Sequence, residues 1–265
     1  MQYPTTPCLS KYIKHYLVFD IPSNGQKRYR HFSNGHNGIV LTLKKEEFVS
    51  INSKTTLPET FVFKQISDNQ DFYISGATSI VIVLFQPFGL YNLTGIPANH
   101  FVSDFEDSSL IFGKEILKLK NQLQSSSNSN EVINHLNSFF THKIKSNNPL
   151  INPFLSNSIQ LVHNKKGDIS VNDLCAQIGV TERKMQRMFS KQIGVSPKKF
   201  ICNIRLHHFL SLLRNEKGFL SLTNLSLQAG YYDQAHLIKE FKKIVGFAPS
   251  KYQKTKRLAV NLIEF

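Results

Sequence analysis

The sequence contains no tryptophan, only three cysteines, and 18 acidic residues against 32 lysines and arginines. Cys8, Cys175 and Cys202 are odd in number and widely spaced, so they form neither a disulfide framework nor a Cys-x2-Cys zinc pattern. They are expected to be buried thiols in a reducing compartment. Nothing around any of them has the pattern of an activated nucleophile, which sets cysteine catalysis aside. Long apolar runs are missing too. The longest, Ile80 to Phe85, is far below the ~20 residues a membrane-spanning helix needs. The amino terminus has no apolar core followed by a cleavage site, so it does not read as a secretory signal. These absences lead us to expect a cytoplasmic protein that does not use a membrane.

What remains is a chain of 265 residues, 41% apolar and 19% charged, a globular composition. That length suits one large domain or two of roughly 100–150 residues. The net charge of +14 calls for a polyanionic partner. Its distribution is uneven: residues 1–154 carry a net +3 and residues 155–265 a net +11. One part of the chain is therefore expected to meet the polyanion while the other does something else.

The residue pattern changes at the same place. Up to about residue 107 the chain reads as short β runs, Gly38–Leu43, Phe61–Gln65, Phe72–Ser75 and Ser79–Phe85 among them. Two helical stretches follow. One is Leu110–Leu123, with Glu115 and Lys118 three apart; the other is Glu131–Ile144, with Val132, Leu136, Phe139 and Phe140 at helical spacing. The latter face suits either the core or a dimer contact. The expected organisation is a β-rich α+β domain over 1–145 ending in two helices, a linker over 146–154, and an all-helical domain over 155–254. A tail over 255–265 completes the chain.

The helical part repeats itself. Phe189, Gly194, Pro197, Lys199 and Phe200 recur 52 residues later as Phe241, Gly246, Pro249, Lys251 and Tyr252. In the first copy, Ser170 or Asp168 can cap a short helix with Val171, Leu174, Cys175 and Ile178 on its inner face. Gly179 supplies the positive φ at its end, and Thr181 caps the next helix with Glu182 in its first turn. On that second helix Met185, Met188, Phe189 and Ile193 face inward, and Arg183, Gln186, Arg187 and Ser190 form the opposite stripe. This is the pattern of a helix-turn-helix. Arg can grip guanine, and Gln adenine, through two hydrogen bonds. The second copy opens with Leu222, Leu225 and Leu227, turns at Gly230 and caps its second helix with Asp233; Leu237 and Phe241 face inward. Helix-turn-helix units are thus expected over about 168–193 and 221–245, joined by a helix over about 197–214.

Three segments carry a family resemblance: Ser170-Val-Asn-Asp-Leu-Cys-Ala-Gln-Ile-Gly-Val-Thr181, Gly194-Val-Ser-Pro197, and Gly230-Tyr-Tyr-Asp-Gln-Ala-His236 with Phe241-Lys242 and Gly246-Phe-Ala-Pro249. Together they resemble the AraC-type DNA-binding domain over about 155–254. The resemblance implies two readers docked in successive major-groove segments of double-stranded promoter DNA, and regulation of transcription through RNA polymerase. It departs from the family pattern at Ser226, at Ala235-His236-Leu237, and at Phe209, where the connecting helix usually has Ala.

Aligning the copies sets Arg183, Gln186, Arg187 and Ser190 against Ala235, Ile238, Lys239 and Lys242. Base contacts are therefore expected from Arg183, Gln186 and Arg187. Backbone or secondary contacts are expected from Thr181, Ser190, Lys191, Gln234, His236, Lys239 and Lys242. The run Lys251 to Arg257 continues the same charge.

The first half is similar to the amino-terminal domain of one bacterial branch of that family, through Leu9-Ser-Lys-Tyr-Ile13, Leu84-Phe-Gln-Pro-Phe-Gly-Leu-Tyr91 and Gly95-Ile-Pro-Ala98. The likeness brings no known ligand. A small-molecule or protein effector there, and a homodimer, stay open. His31 and His36 flank Phe-Ser-Asn-Gly without a third metal ligand at a suitable spacing, and His207 and His208 point about 100° apart on a helix. No metal or cofactor is expected, and no catalysis: the DNA-repair enzymes with a related reader carry a cysteine cluster that is missing here. The competing readings are a nonspecific architectural DNA binder and an enzyme fused to a DNA-binding module.

Overall fold

The structure is a computed structural model, and it describes the chain apart from residues 22–26, 44–47, 53, 66–68, 148–150, 216–220, 260 and 265. Two compact units emerge. Unit 1 is Met1–Tyr29, His36–Gln65 and Gln70–Ile151; unit 2 is Arg30–Gly35, Ile66–Asn69 and Asn152–Phe265.

The strands of unit 1 are β1 (Gln2–Tyr3), β2 (Ile13–Ile21), β3 (Lys27–His31, its last two residues counted with unit 2), β4 (Gly38–Thr42), β5 (Phe48–Ser50), β6 (Thr55–Thr56), β7 (Thr60–Phe63), β8 (Gln70–Ile74), β9 (Thr78–Phe85) and β10 (Phe105–Asp107). Its helices are α1 (Gly89–Thr94), α2 (Ser108–Phe112), α3 (Glu115–Ser125) and α4 (Ser129–Asn147). An antiparallel sheet runs in the order β1-β2-β9-β4-β7-β10.

All five residues of β4 are buried, as in a strand covered on both faces. Side chains alternate across a strand, so Ile39 and Leu41 reach one layer and Val40 the other. On the first face Ile39, Leu41, Val62, Val81 and Val83 join Ile116, Leu119, Leu136 and Phe140 of the helices in one core. On the other face Phe61 meets the rings of Phe48 and Phe105 edge-on at 5.9 and 5.7 Å, and Phe72 meets the same two rings.

Several expectations are corrected here. The single helix expected over Leu110–Leu123 is two, α2 and α3, because Gly113 at φ +72° ends the first. Glu115 pairs with Lys143 of α4 at 2.5 Å rather than with Lys118, and that amine holds its carboxyl below the usual range. Val132, Leu136 and Phe140 of α4 are core residues. Cys8 is exposed, not buried, and accepts or donates a hydrogen bond with the Thr6 hydroxyl at 3.3 Å. Cys175 is buried and Cys202 half-buried. Of the expected linker, 148–150 lie outside the described residues; α4 reaches Asn147 before them.

Two of the resemblance-bearing segments of unit 1 meet in space. The Gln86 N–H donates to Tyr12 O at 2.8 Å and its side-chain amide to Ser10 O at 3.0 Å. A Cβ on Gly89 would lie 2.0 Å from Tyr12 O, so only glycine lets the two segments approach. These residues serve a close turn between the start of the chain and the end of β9.

Unit 2 contains α5 (Pro153–Asn164), α6 (Val171–Ile178), α7 (Glu182–Gln192), α8 (Pro197–Asn215), α9 (Leu222–Gln228), α10 (Gln234–Val245) and α11 (Pro249–Gln253). The stretch expected to be a tail instead forms an antiparallel hairpin, β11 (Lys256–Ala259) and β12 (Leu262–Glu264). Ile263 explains why: it is fully buried in the core of the second copy with Leu237, Phe241 and Tyr252. The same core takes in Phe32, also fully buried, from near the beginning of the chain. Phe32 and Asn261 are tied twice: the Phe32 N–H donates to Asn261 O at 3.1 Å, and the Asn261 amide donates to Phe32 O at 3.0 Å. Asn203 of α8 donates to the Ser33 hydroxyl at 2.7 Å.

Candidate nucleic-acid interface

In the first copy Ser170 is the cap of α6: its hydroxyl accepts from the Asp173 N–H at 3.1 Å. Such caps contribute about 1 kcal/mol. Asp168 is used elsewhere, packed against the Cα of Gly230. Gly179 ends α6 at φ +73°, and the Thr181 hydroxyl then caps α7 by accepting from the Lys184 N–H at 3.3 Å. Glu182 in the first turn of α7 complements the helix dipole.

These caps fix how α7 is presented. Met185, Met188 and Phe189 are buried on one side of it. Arg183, Gln186, Arg187 and Ser190 are all exposed on the other, and Thr181 and Lys191 are exposed at its two ends. Lys184 is not on that stripe; its amine sits 4.2 Å from the centre of the Phe154 ring.

In the second copy Ser221 caps α9, Gly230 turns at φ +83°, and the Asp233 carboxylate caps α10 by accepting from the His236 N–H at 2.6 Å. Of the leucines that open this copy, Leu225 is buried and Leu227 is exposed. Leu237, Phe241, Ile244 and Val245 face inward on α10. Lys239 and Lys242 are exposed, whereas Gln234 and His236 have partners within the fold. The Thr223 hydroxyl donates to Gln234 Oε1 at 2.7 Å, and His236 lies 3.9 Å from Glu240 and edge-on to Tyr231.

Tyr232, 85% exposed immediately before the α10 cap, was not among the expected contacts. The pair Tyr231-Tyr232 was its only sequence signal, since just one of two adjacent rings can face the core. The first of the pair is the core ring, and Phe209 meets it and Phe241 edge-on at 6.5 and 5.9 Å. The larger residue at 209 thus fills space inside the second copy.

Between the copies lies a cleft of about 520 Å³, lined among others by Ile169, Val171, Ile201, Cys202, Arg205 and Glu240. Burial, with the Glu240 carboxylate second, pushes the Cys202 thiol up to about 11, which disfavours the nucleophilic thiolate. Among the described residues no group of three His, Cys, Asp or Glu side chains could hold a metal ion. The His36 ring is held by Phe85 O at 2.8 Å and by the Lys14 amine at 2.7 Å. No helix of the described residues is long and apolar enough to cross a membrane.

Comparison with known proteins fits this geometry. The helix-turn-helix domain family matches residues 174–255, from within α6 to beyond α11. The second unit carries a helix-turn-helix domain of the AraC type over those residues. Residues 1–106 match a domain of unknown function, DUF6597.

Among curated relatives of the AraC-type domain, the lactose operon transcription activator of Staphylococcus xylosus is 25% identical over 166 residues, 56% of this chain and 59% of that one. The msm operon regulatory protein of Streptococcus mutans is 29% identical over 96 residues, 36% of this chain and 34% of that one. The chain thus spans between about a third and three-fifths of the length of these two relatives. A crystal structure of ToxT from Vibrio cholerae O395 superposes with a TM-score of 0.48 at 14% identity, covering 92% of this chain and 97% of that one.

Proposed function

We propose that this chain is a sequence-specific regulator of transcription that places α7 and α10 in successive major-groove segments of promoter DNA. One observation carries the reading: Arg183, Gln186 and Arg187 stand exposed on one stripe of a helix whose opposite side is locked into the core by Met185, Met188 and Phe189. Rigid helices with bidentate donors on the outer face suit base readout. The net +11 of residues 155–265 supplies the phosphate attraction. In this reading the first copy specifies sequence through those three residues. The second copy holds the backbone through Lys239 and Lys242, with Thr181, Ser190, Lys191, Gln234 and His236 as secondary contacts. RNA polymerase is the protein partner, the first unit modulates the reader, and the work is binding rather than catalysis.

The test is selection of bound fragments from random and genomic DNA by the full-length protein at ~150 mM salt. Two enriched boxes about one helical turn apart, ~34 Å, are expected. Binding without any enriched motif would replace this reading with a nonspecific architectural role.

A further inference from the structure

The far end of the second reader is held by residues from the first third of the chain. Helix α10 ends at Val245, and Gly246 takes φ +90° just beyond it. The last carbonyls of a helix have no partner within it and carry the negative end of its dipole. Two side chains meet them here. The Arg30 guanidinium donates to Val245 O at 3.3 Å, and the Asn69 amide donates to Ile244 O at 3.5 Å. Arg30 also lies 5.5 Å from the centre of the Phe247 ring. Lys242 and Lys243 already complement the dipole from the last turn of α10 itself. What Arg30 adds is a tie to a distant segment.

The residues that follow Arg30 hold on to α8. Asn203 donates to the Ser33 hydroxyl at 2.7 Å, and one turn further along α8 the His207 Nε2 lies 3.2 Å from Ser33 O. Between these two grips the Phe32 ring is fully buried, 6.2 Å from the His207 ring and edge-on to Tyr252 at 6.3 Å. It shares its core with Leu237 and Phe241 of α10. The segment from Arg30 to Ser33 therefore bridges α8 and the end of α10. Helix α8 is also packed on the first reader, where its Phe200 meets Phe189 of α7 edge-on at 5.6 Å. A bridge fixed to that helix and gripping the end of α10 bears on how the second reader is presented beside the first.

We infer that Arg30 is a positioning residue of the second reader: with Asn69 it ties the far end of α10 to a segment anchored on α8, and so sets the angle and spacing at which the two readers meet DNA. The inference rests on the DNA-binding reading above. It also names a route for the modulation proposed there, because the segment Arg30–Gly35 continues along the chain into the first unit at both ends, at Tyr29 and His36.

The experiment compares the full-length wild type with an Arg30→Gln, Asn69→Ala variant and with Arg30→Lys, at a temperature where melting curves show all three folded. Residual dipolar couplings of the α7, α8 and α10 amides report helix orientation in the free protein. Affinity is then measured on duplexes that carry both selected boxes, both boxes with ~2 base pairs inserted between them, or the first box alone. In the double variant α10 is expected to lose its fixed orientation against α8 while α7 keeps its own. Affinity for the two-box duplex should fall about tenfold, because a loosely held second reader has a lower effective concentration at its box. Binding to the first box alone should be unchanged, and the penalty for the insertion should shrink. Arg30→Lys keeps a donor and a charge at the helix end and should behave as wild type.

An unchanged orientation of α10 overturns the inference. So does an equal loss of affinity on all three duplexes, which would leave Arg30 and Asn69 as helix caps and nothing more. If wild type selects no pair of boxes, the sequence-reading proposal fails, and the orientation of α10 in the free protein still decides this one.

Discussion

The two copies of the helix-turn-helix repeat have similar caps and turns but differ in what they expose and in what completes them. The first exposes Arg183, Gln186 and Arg187; at the aligned positions the second has Ala235, Ile238 and Lys239. The first continues into the long helix α8. The second is closed by two segments from outside the repeat, Phe32 from near the start of the chain and Ile263 from its end. In the reading proposed above the duplicated scaffold divides its work, one copy keeping the bidentate side chains and the other the point charges. It can also divide its stability, since the core of the second copy depends on contacts distant in sequence.

The largest expected effect tests that second difference. Phe32→Ala removes a fully buried ring from the second core and is expected to cost about 3–5 kcal/mol in chemical denaturation. In hydrogen exchange, amides of α9 and α10 should lose protection while those of α6 and α7 keep theirs. Equal loss in both copies would show that the two cores are one cooperative unit. A fragment of residues 152–265 lacks Phe32 and should show the same imbalance.

A smaller effect compares the two turn glycines. Gly179 has φ +73° and open space where a Cβ would stand, so Gly179→Ala should cost only the left-handed backbone term, about 1–2 kcal/mol. At Gly230, φ +83°, the new Cβ would also come within 3.0 Å of Asp168, so Gly230→Ala should lower the melting temperature further. Identical melting shifts would mean that Asp168 moves aside at no cost.

Acid offers the mildest probe. Packing around His31, with the neighbouring His207 second, lowers its imidazole to about 4 from 6.5. The unfolded chain then binds the extra proton first. Stability from this group is complete above about pH 6.5 and is lost as the pH falls toward 4, by at most ~1.4 kcal/mol per pH unit. A His31→Gln variant should flatten that part of the stability–pH curve. An unchanged curve would remove His31 as the cause.

What could be read from the sequence was local. Ser170, Gly179 and Thr181 announce the caps and turn of the first copy, and the Met185–Met188–Phe189 spacing announces the side of α7 that faces away from solvent. The repeat located the second copy for the same reason. Features built from distant contacts were not legible. Arg30–Gly35 contains one large apolar residue and nothing to say that its ring belongs to a core completed by residues beyond 200. The hairpin read as a tail although Leu258, Val260, Leu262 and Ile263 are apolar, because nothing local tells what such a short run would pack against. Strand β2 was not named because a register shift between Ile13 and His15 breaks the two-residue alternation on which strand reading depends. At the interface, exposure of the α7 stripe followed from helical period, whereas the Thr223 brace on Gln234 joins two helices and had no sequence signal.

The division of labour between the copies is tested most directly by the base-preference profile of the full-length protein beside its Arg187→Ala and Lys239→Ala variants. The account predicts that Arg187→Ala flattens preference within one box by about 1–3 kcal/mol and leaves the other intact. Lys239→Ala should weaken binding evenly and lower the salt slope by about 0.9, with the profile unchanged. Equal flattening in both variants would contradict it, because the second copy would then be reading bases as the first does.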